Sequence, residues 1–305
     1  MQREPLVYID GEFVPKSGAK VSVFDHGLLY GDGVFEGIRA FDGYVFKLVE
    51  HVDRLYESAR CIDLVIPMAK EVMVETVAET IRRNNLTSAY VRLIVTRGAG
   101  DMGVNPALCK KSTVIVIAEA MEPGFSKEPK VLSTVITSVR RDPVDSTSHE
   151  IKSLNYLNSV LAVIEANRAK VDYPVMLDRR GFVSEGSTMN IFIVKKGNVL
   201  TPSPSAGILH GITRARLIGL CKELKYSITE RDITPFELFT ADEVFFAGTL
   251  LGLAAVAEVN GKKIGSGGVG PVTRELYEHF KEIVSRPEEG TPVFRQVRAR
   301  STRKK

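Results

Sequence analysis

The chain has 305 residues, of which 44% are hydrophobic and 26% charged, with three cysteines and a formal net charge of +4. At roughly 150 residues per domain the length predicts two domains or one large one, and the balanced composition excludes a disordered chain. The charge misleads: Arg295, Arg298, Arg300, Arg303, Lys304 and Lys305 crowd the last eleven residues, and without those six the chain carries 35 basic against 37 acidic side chains.

In chain order, residues 6–9 and 12–14 flank Asp10-Gly11, a hairpin signal. Residues 50–60 and 70–84 have helical periodicity, and 89–96 and 113–119 are β-branched runs that predict strands. The stretch from Met121 to Pro129 has two prolines and a glycine and reads as a linker. Beyond it come a strand at 131–138, a helix at 154–170, and short strands at 174–177, 182–184, 190–195 and 199–201. A helix at 213–223, strands near 227–231, 244–247 and 253–259, and a last helix at 272–284 follow. The expected organisation is a small α/β domain at 1–119, a linker at 120–129, a large domain at 130–285 and a mobile basic tail at 286–305. Short strands mixed with helices, without β-α-β alternation, argue against a doubly wound nucleotide fold. Gly31-Asp32-Gly33 is only superficially like a dinucleotide loop.

Several functions are excluded or disfavoured on the same grounds. The longest clean apolar run, 250–257, falls far short of the roughly 20 residues that span a bilayer. The first five residues lack the apolar stretch of a secretory signal, so a cytoplasmic protein is expected. Cys61, Cys109 and Cys221 and the five histidines are scattered without metal-ligand spacing, so no metal is expected. The basic tail lacks interleaved aromatics, which argues against a nucleic-acid partner.

Four segments carry chemistry. Lys152, with Tyr156 four residues on, is a candidate amine nucleophile at a partly buried helix start. Glu185, in Ser184-Glu185-Gly186, ends an apolar run and precedes small residues, so it could hold a pyridinium nitrogen protonated. Gly211-Ile212-Thr213-Arg214 opens a helix whose free N–H groups suit a phosphate. Gly248-Thr249 ends a strand and offers a second hydroxyl. Taken singly, each of these also reads as an ordinary helix end, turn or cap.

In this order, and with the segments Val21 to Arg39 and His51-Val52-Asp53-Arg54-Leu55, the chain resembles the fold-type IV pyridoxal phosphate enzymes, the class IV aminotransferases. Within them it is most similar to branched-chain amino acid aminotransferases. The resemblance implies an α/β (α+β) two-domain fold of the D-amino acid aminotransferase type, with pyridoxal 5′-phosphate in the interdomain cleft. It implies that Lys152 forms the Schiff base and shuttles the proton, that Glu185 pairs with the ring nitrogen, and that Tyr156 bonds the phenolic oxygen. Arg54, Ile212, Thr213 and Thr249 would hold the phosphate, and Leu209 would pack on the ring. Tyr90 and Arg92 would help bind the substrate carboxylate. Tyr30, Phe35 and Val104 would line an apolar side-chain pocket, Val104 coming from a neighbouring subunit of at least a homodimer. The implied reaction is transamination between a branched-chain or other apolar L-amino acid and 2-oxoglutarate. One departure stands out: branched-chain enzymes usually read Gly-Thr-Ala-Ala-Glu where this chain has Gly248-Thr249-Leu250-Leu251-Gly252, and Leu250 and Leu251 add bulk on the carboxylate side. Transfer from a D-amino acid or (R)-amine, or an aminodeoxychorismate lyase reaction, stays open as an alternative.

Overall fold

The computed structural model describes residues 4–294. The first sheet is built from β1 (Leu6–Ile9), β2 (Glu12–Pro15), β3 (Gly33–Phe41), β4 (Tyr44–Phe46), β5 (Ala89–Thr96) and β6 (Thr113–Ala120). Its helices are α1 (His26–Tyr30), α2 (Leu48–Cys61) and α3 (Lys70–Arg83). The second sheet takes β7 (Lys130–Arg140), β8 (Tyr173–Leu177), β9 (Asn190–Lys195), β10 (Asn198–Thr201), β11 (Ile228–Glu230), β12 (Glu243–Gly248), β13 (Gly252–Val259) and β14 (Lys262–Lys263). Helices α4 (Leu157–Ala169), α5 (Ile212–Glu223), α6 (Pro235–Phe239) and α7 (Pro271–Val284) accompany it. No helix among the described residues is long and apolar enough to cross a membrane.

The last strand, β15 (Gly290–Pro292), returns to the first sheet, whose order is β15-β4-β3-β5-β6-β1-β2. This corrects the expected boundary of the tail. Gly290 pairs with Phe46, and Val293 is buried in the first domain's core. Glu289 forms ion pairs with Lys47 at 2.8 Å and with Arg216 of α5 at 3.1 Å, so it ties the two halves together. The prolines and glycine of this stretch suggested a mobile end, but a strand on a sheet edge tolerates them. The basic cluster lies outside the described residues. Val293→Ala should therefore cost about 2 kcal/mol in urea unfolding through the cavity it leaves, whereas removal of residues 295–305 should leave both stability and catalysis intact.

The second sheet is mixed. Its path β11-β10-β9-β12-β13-β7-β8 has parallel pairs at β10–β11, β13–β7 and β7–β8. It is covered on one side by α5 and α7 through Phe192, Leu217, Phe245, Leu276 and Phe280.

Strand β3, absent from the expected elements, is the element that positions the site. Every one of its residues except half-buried Gly37 is buried. Alternation along a strand separates its two faces. Val34, Ile38 and Ala40 enter the core shared with α2 and α3, and Glu36 on that same face meets α2. Phe35, Gly37, Arg39 and Phe41 face the second domain.

Two other expectations shift. The helix expected from 154 starts at Leu157, because residues 152–154 pair with β3 instead: Phe35 N donates to the Lys152 carbonyl at 3.0 Å, and Leu154 N to Gly33 O at 2.9 Å. Residues 182–184 form no strand. Val183 and Glu185 make single bridges to Leu177 and Asn190.

Candidate active site

A cavity of about 590 Å³ lies between the two sheets. Lys152 reaches it from the segment paired to β3, so the backbone carrying the amine is pinned by sheet bonds and by Ser58 Oγ, which accepts from Lys152 N at 3.1 Å. Its Nζ donates to Tyr156 Oη at 3.0 Å and lies 4.5 Å from the Phe35 ring centre. Burial is the largest influence on the amine and pulls its pKa down to about 8, aided by Arg54 and Arg92 and opposed by Glu36 and Glu185. Burial also raises the Tyr156 phenol, so it stays protonated.

Glu185 is buried and does not itself line the cavity, but its partners Asn190 and Leu209 do. Its carboxylate accepts from Asn190 Nδ2 at 2.8 Å and from Leu209 N at 3.2 Å. Arg141 Nε stands 3.3 Å away and His149 Nε2 3.7 Å. Burial pushes the carboxyl up to about 7, while Arg141 and the Leu209 N–H pull it down. Burial also drives the His149 imidazole down to about 2, so it is neutral.

At the other end of the cavity α5 begins at Gly211 with no side-chain cap, which leaves its first N–H groups free for an anion. Arg54 is held beside them. Its Nε and Nη2 donate to the two oxygens of Glu36 at 2.7 Å each, and its Nη1 donates to His210 O at 2.8 Å. His51 Nδ1 meets Glu36 Oε2 at 2.8 Å. Burial opposes ionisation of Glu36, but Arg54 and His51 outweigh it and hold its carboxyl at about 2. Thr213 and Thr249 line the same end.

On the first-domain side, Arg92 Nη2 donates to Tyr90 Oη at 3.0 Å, and its guanidinium sits 4.6 Å over the Phe35 ring. Gly37 leaves the space for this pair, since a Cβ there would come within 2.5 Å of Tyr90 Oη.

The fold thus brings together Arg54, Lys152, Tyr156, Leu209, Ile212, Thr213, Thr249, Phe35, Tyr90, Arg92, Leu250 and Leu251 around one cavity. Tyr30 and Val104 do not line it within this chain. Tyr30 Oη accepts from Gly103 N at 2.8 Å, the His26 and Tyr30 rings meet edge to face, and Val104 is 81% exposed on that outer surface. Glu36 and His51 lay inside the quoted motifs, and Asn190 at the start of a predicted strand, with no role assigned to them. Arg141 and His149 gave no signal, because only the fold carries the segment from β7 to Lys152 past Glu185.

The arrangement defines an enzyme that keeps a phosphorylated, ring-nitrogen-containing cofactor against a desolvated lysine. Free helix N–H groups with a guanidinium and hydroxyls suit a phosphate. A buried carboxylate with its own donors suits a protonated ring nitrogen, and a lowered-pKa amine suits a carbonyl carbon.

The amino-transferase class IV family matches residues 33–259. A putative branched-chain-amino-acid aminotransferase of Methanocaldococcus jannaschii is 51% identical over 277 residues, covering 91% of this chain and 96% of that protein. The branched-chain-amino-acid aminotransferase of Escherichia coli superposes with a TM-score of 0.89 at 34% identity, over 95% of this chain and 97% of that one. The T.th. branched-chain amino acid aminotransferase with pyridoxamine 5′-phosphate superposes with a TM-score of 0.91 at 36% identity, over 96% of this chain and all of that one (100%). The chain belongs to the class IV aminotransferases, two-domain fold-type IV enzymes that depend on pyridoxal 5′-phosphate.

Only the neutral amine attacks a carbonyl. Uptake of pyridoxal 5′-phosphate by the cofactor-free protein should therefore speed up with pH and level off above about 8, as Lys152 loses its proton. Stopped-flow uptake rates across pH 6–11 test this. A midpoint near the ordinary lysine value would mean that the amine is not desolvated.

Proposed function

We propose that this chain transfers the amino group of branched-chain and other apolar L-amino acids to 2-oxoglutarate. The observation that carries the reading is the Tyr90–Arg92 pair, its guanidinium over the Phe35 ring, lining the same cavity as Lys152. It sets a carboxylate-binding hydroxyl and charge beside an apolar ring, and so suits an amino acid with a hydrocarbon side chain. The same charge also serves the second carboxylate of 2-oxoglutarate. Relatives bearing the branched-chain name in M. jannaschii, Pseudomonas aeruginosa and E. coli support it.

Bound pyridoxal 5′-phosphate supplies the carbonyl that takes the amino group and the ring that draws electrons from the substrate Cα. The chain does the rest. Arg54, the first N–H groups of α5, Thr213 and Thr249 anchor the phosphate. Glu185 keeps a proton on the ring nitrogen, Tyr156 bonds the phenolic oxygen, and Leu209 packs on the ring. Lys152 Nζ would take the proton from the substrate Cα and return it to the former carbonyl carbon of the cofactor, on the other side of the transferred nitrogen. Tyr90 and the backbone of the Thr249–Leu251 turn hold the substrate carboxylate.

A single-turnover assay tests the substrate. Cofactor-loaded protein is mixed separately with L-leucine, D-alanine and an (R)-arylalkylamine, and the carbonyl product per site is counted by mass spectrometry. Near-stoichiometric 4-methyl-2-oxopentanoate from L-leucine, with little from the others, is the expected result. Product from D-alanine or the amine alone would mean that Leu250 and Leu251 have redirected the pocket.

The working unit is proposed to be a cytoplasmic homodimer. The exposed side chains Val23, Phe24, Leu28, Leu29, Met102 and Val104 form an apolar face suited to a second copy, whose cavity Val104 would enter. Light scattering should give at least twice the 33.6 kDa chain mass, and a fully active monomer would refute the assembly.

A further inference from the structure

Arg39 leaves the cavity-facing side of β3 just beyond the site, 4% exposed. Its guanidinium lies 4.5 Å from the Phe41 ring centre and 4.6 Å from that of Phe125, so it packs against two rings that also touch each other, their centres 5.1 Å apart. Nη1 donates to the Leu250 carbonyl at 3.0 Å. Nη2 donates to the carbonyls of Glu122 and Gly124 at 3.2 and 2.7 Å. Nε has no hydrogen-bond partner. One buried cation thus joins β3, the segment between the domains, and the turn that closes the β12–β13 hairpin.

That turn is Thr249-Leu250-Leu251, followed by Gly252 at φ +63°. Glycine adopts this left-handed conformation without strain. Branched-chain enzymes usually carry an acid here. In this chain the missing side chain admits Phe125, since a Cβ on Gly252 would stand 3.0 Å from Phe125 Cζ. The Phe125 ring in turn packs on Phe41 at 5.1 Å and Phe280 at 5.9 Å. The departure after Thr249 and the aromatic residue in the linker therefore form one unit with Arg39.

We propose that Arg39, packed against Phe41 and Phe125, is a positioning residue that fixes the Thr249–Leu251 turn and couples it to the interdomain linker. Arg39 touches no reacting atom. It sets where the turn N–H groups stand, and through them how tightly the substrate carboxylate is held; this last step rests on the proposed function.

The test uses the cofactor-loaded enzyme and the variants Arg39→Gln and Arg39→Lys, with melting temperature as the check on folding. Hydrogen exchange of the peptides covering 121–126 and 247–253 is the primary readout. Both should exchange about tenfold faster in Arg39→Gln, and together, with partial recovery in Arg39→Lys. KM for L-leucine should rise about tenfold with kcat within twofold at saturating pyridoxal 5′-phosphate. If Arg39→Gln does not fold, Phe125→Leu removes one ring and keeps the three hydrogen bonds, and the same paired loosening is expected. Wild-type protection of 247–253 in a folded variant, or a fall in kcat at constant KM, overturns the proposal. If the wild-type protein does not turn over L-leucine while the two peptides still loosen together, the substrate reading fails and the positioning role of Arg39 stands.

Discussion

Lys152→Ala is expected to slow amino-group transfer from L-leucine by about 10⁴-fold, because it removes both the nucleophile and the group that moves the Cα proton. Borohydride reduction of the loaded wild-type protein should fix cofactor mass on the peptide containing Lys152, and the variant should carry none. Retained label elsewhere, with retained activity, would move the chemistry to another amine. Folding should not suffer. The amine binds its proton less readily when folded, with a pKa of about 8 against the ordinary 10.5. Its protonated form therefore destabilises the fold fully below about 8 and progressively less as pH rises toward 10.5. In the cofactor-free state the variant should melt no lower than wild type at pH 7, and any gain should shrink as pH is raised to 10.

Glu185→Gln should have the second-largest effect. Loss of the charge that keeps the ring nitrogen protonated should reduce turnover by about 10²–10³-fold. The glutamine can still accept from Asn190 or Leu209, but Arg141 loses the carboxylate 3.3 Å away. Burial already disfavours the ionised carboxyl, and Arg141 keeps Ser159 Oγ and the Gly186 carbonyl as partners, so the neutral glutamine should cost little stability in urea unfolding. The pH dependence carries a second signature. In the cofactor-free protein this carboxyl titrates at about 7 rather than 4.5, so its protonated form favours the fold. That contribution is complete below 4.5 and lost as pH rises through 7. The variant should lack this slope. Unchanged turnover and an unchanged slope would make Glu185 a bystander.

How legible these residues were in the sequence depended on whether their signal was local. Lys152 with Tyr156, Glu185 between serine and glycine, and the Gly-Ile-Thr helix start each act through a short stretch of backbone, so the order of motifs was enough to assemble them. Periodicity found α2, α3 and α7, whose apolar faces are continuous. It missed β3, because a strand buried on both sides that begins Gly-Val-Phe-Glu and carries Arg39 shows no alternation of polar and apolar residues. It placed the start of α4 three residues early, because the backbone bonds of residues 152–154 go to a strand more than a hundred residues away. The role of β15 was hidden for the same reason: three residues with a proline become a strand only when β4 offers an edge.

Residue order therefore settled the class of chemistry, since helix starts, turns and charged side chains at short spacing are properties of the local chain. The tertiary structure alone decided the electrostatics and the shape of the pocket. Glu36 orients Arg54, Arg141 stands against Glu185, and Arg39 reaches Leu250 across distances in sequence that no motif spans. Burial, which the packing of two sheets creates, brings Lys152 down toward neutral pH and Glu185 up toward it. Solvation is a property of the assembled interior rather than of any stretch of chain.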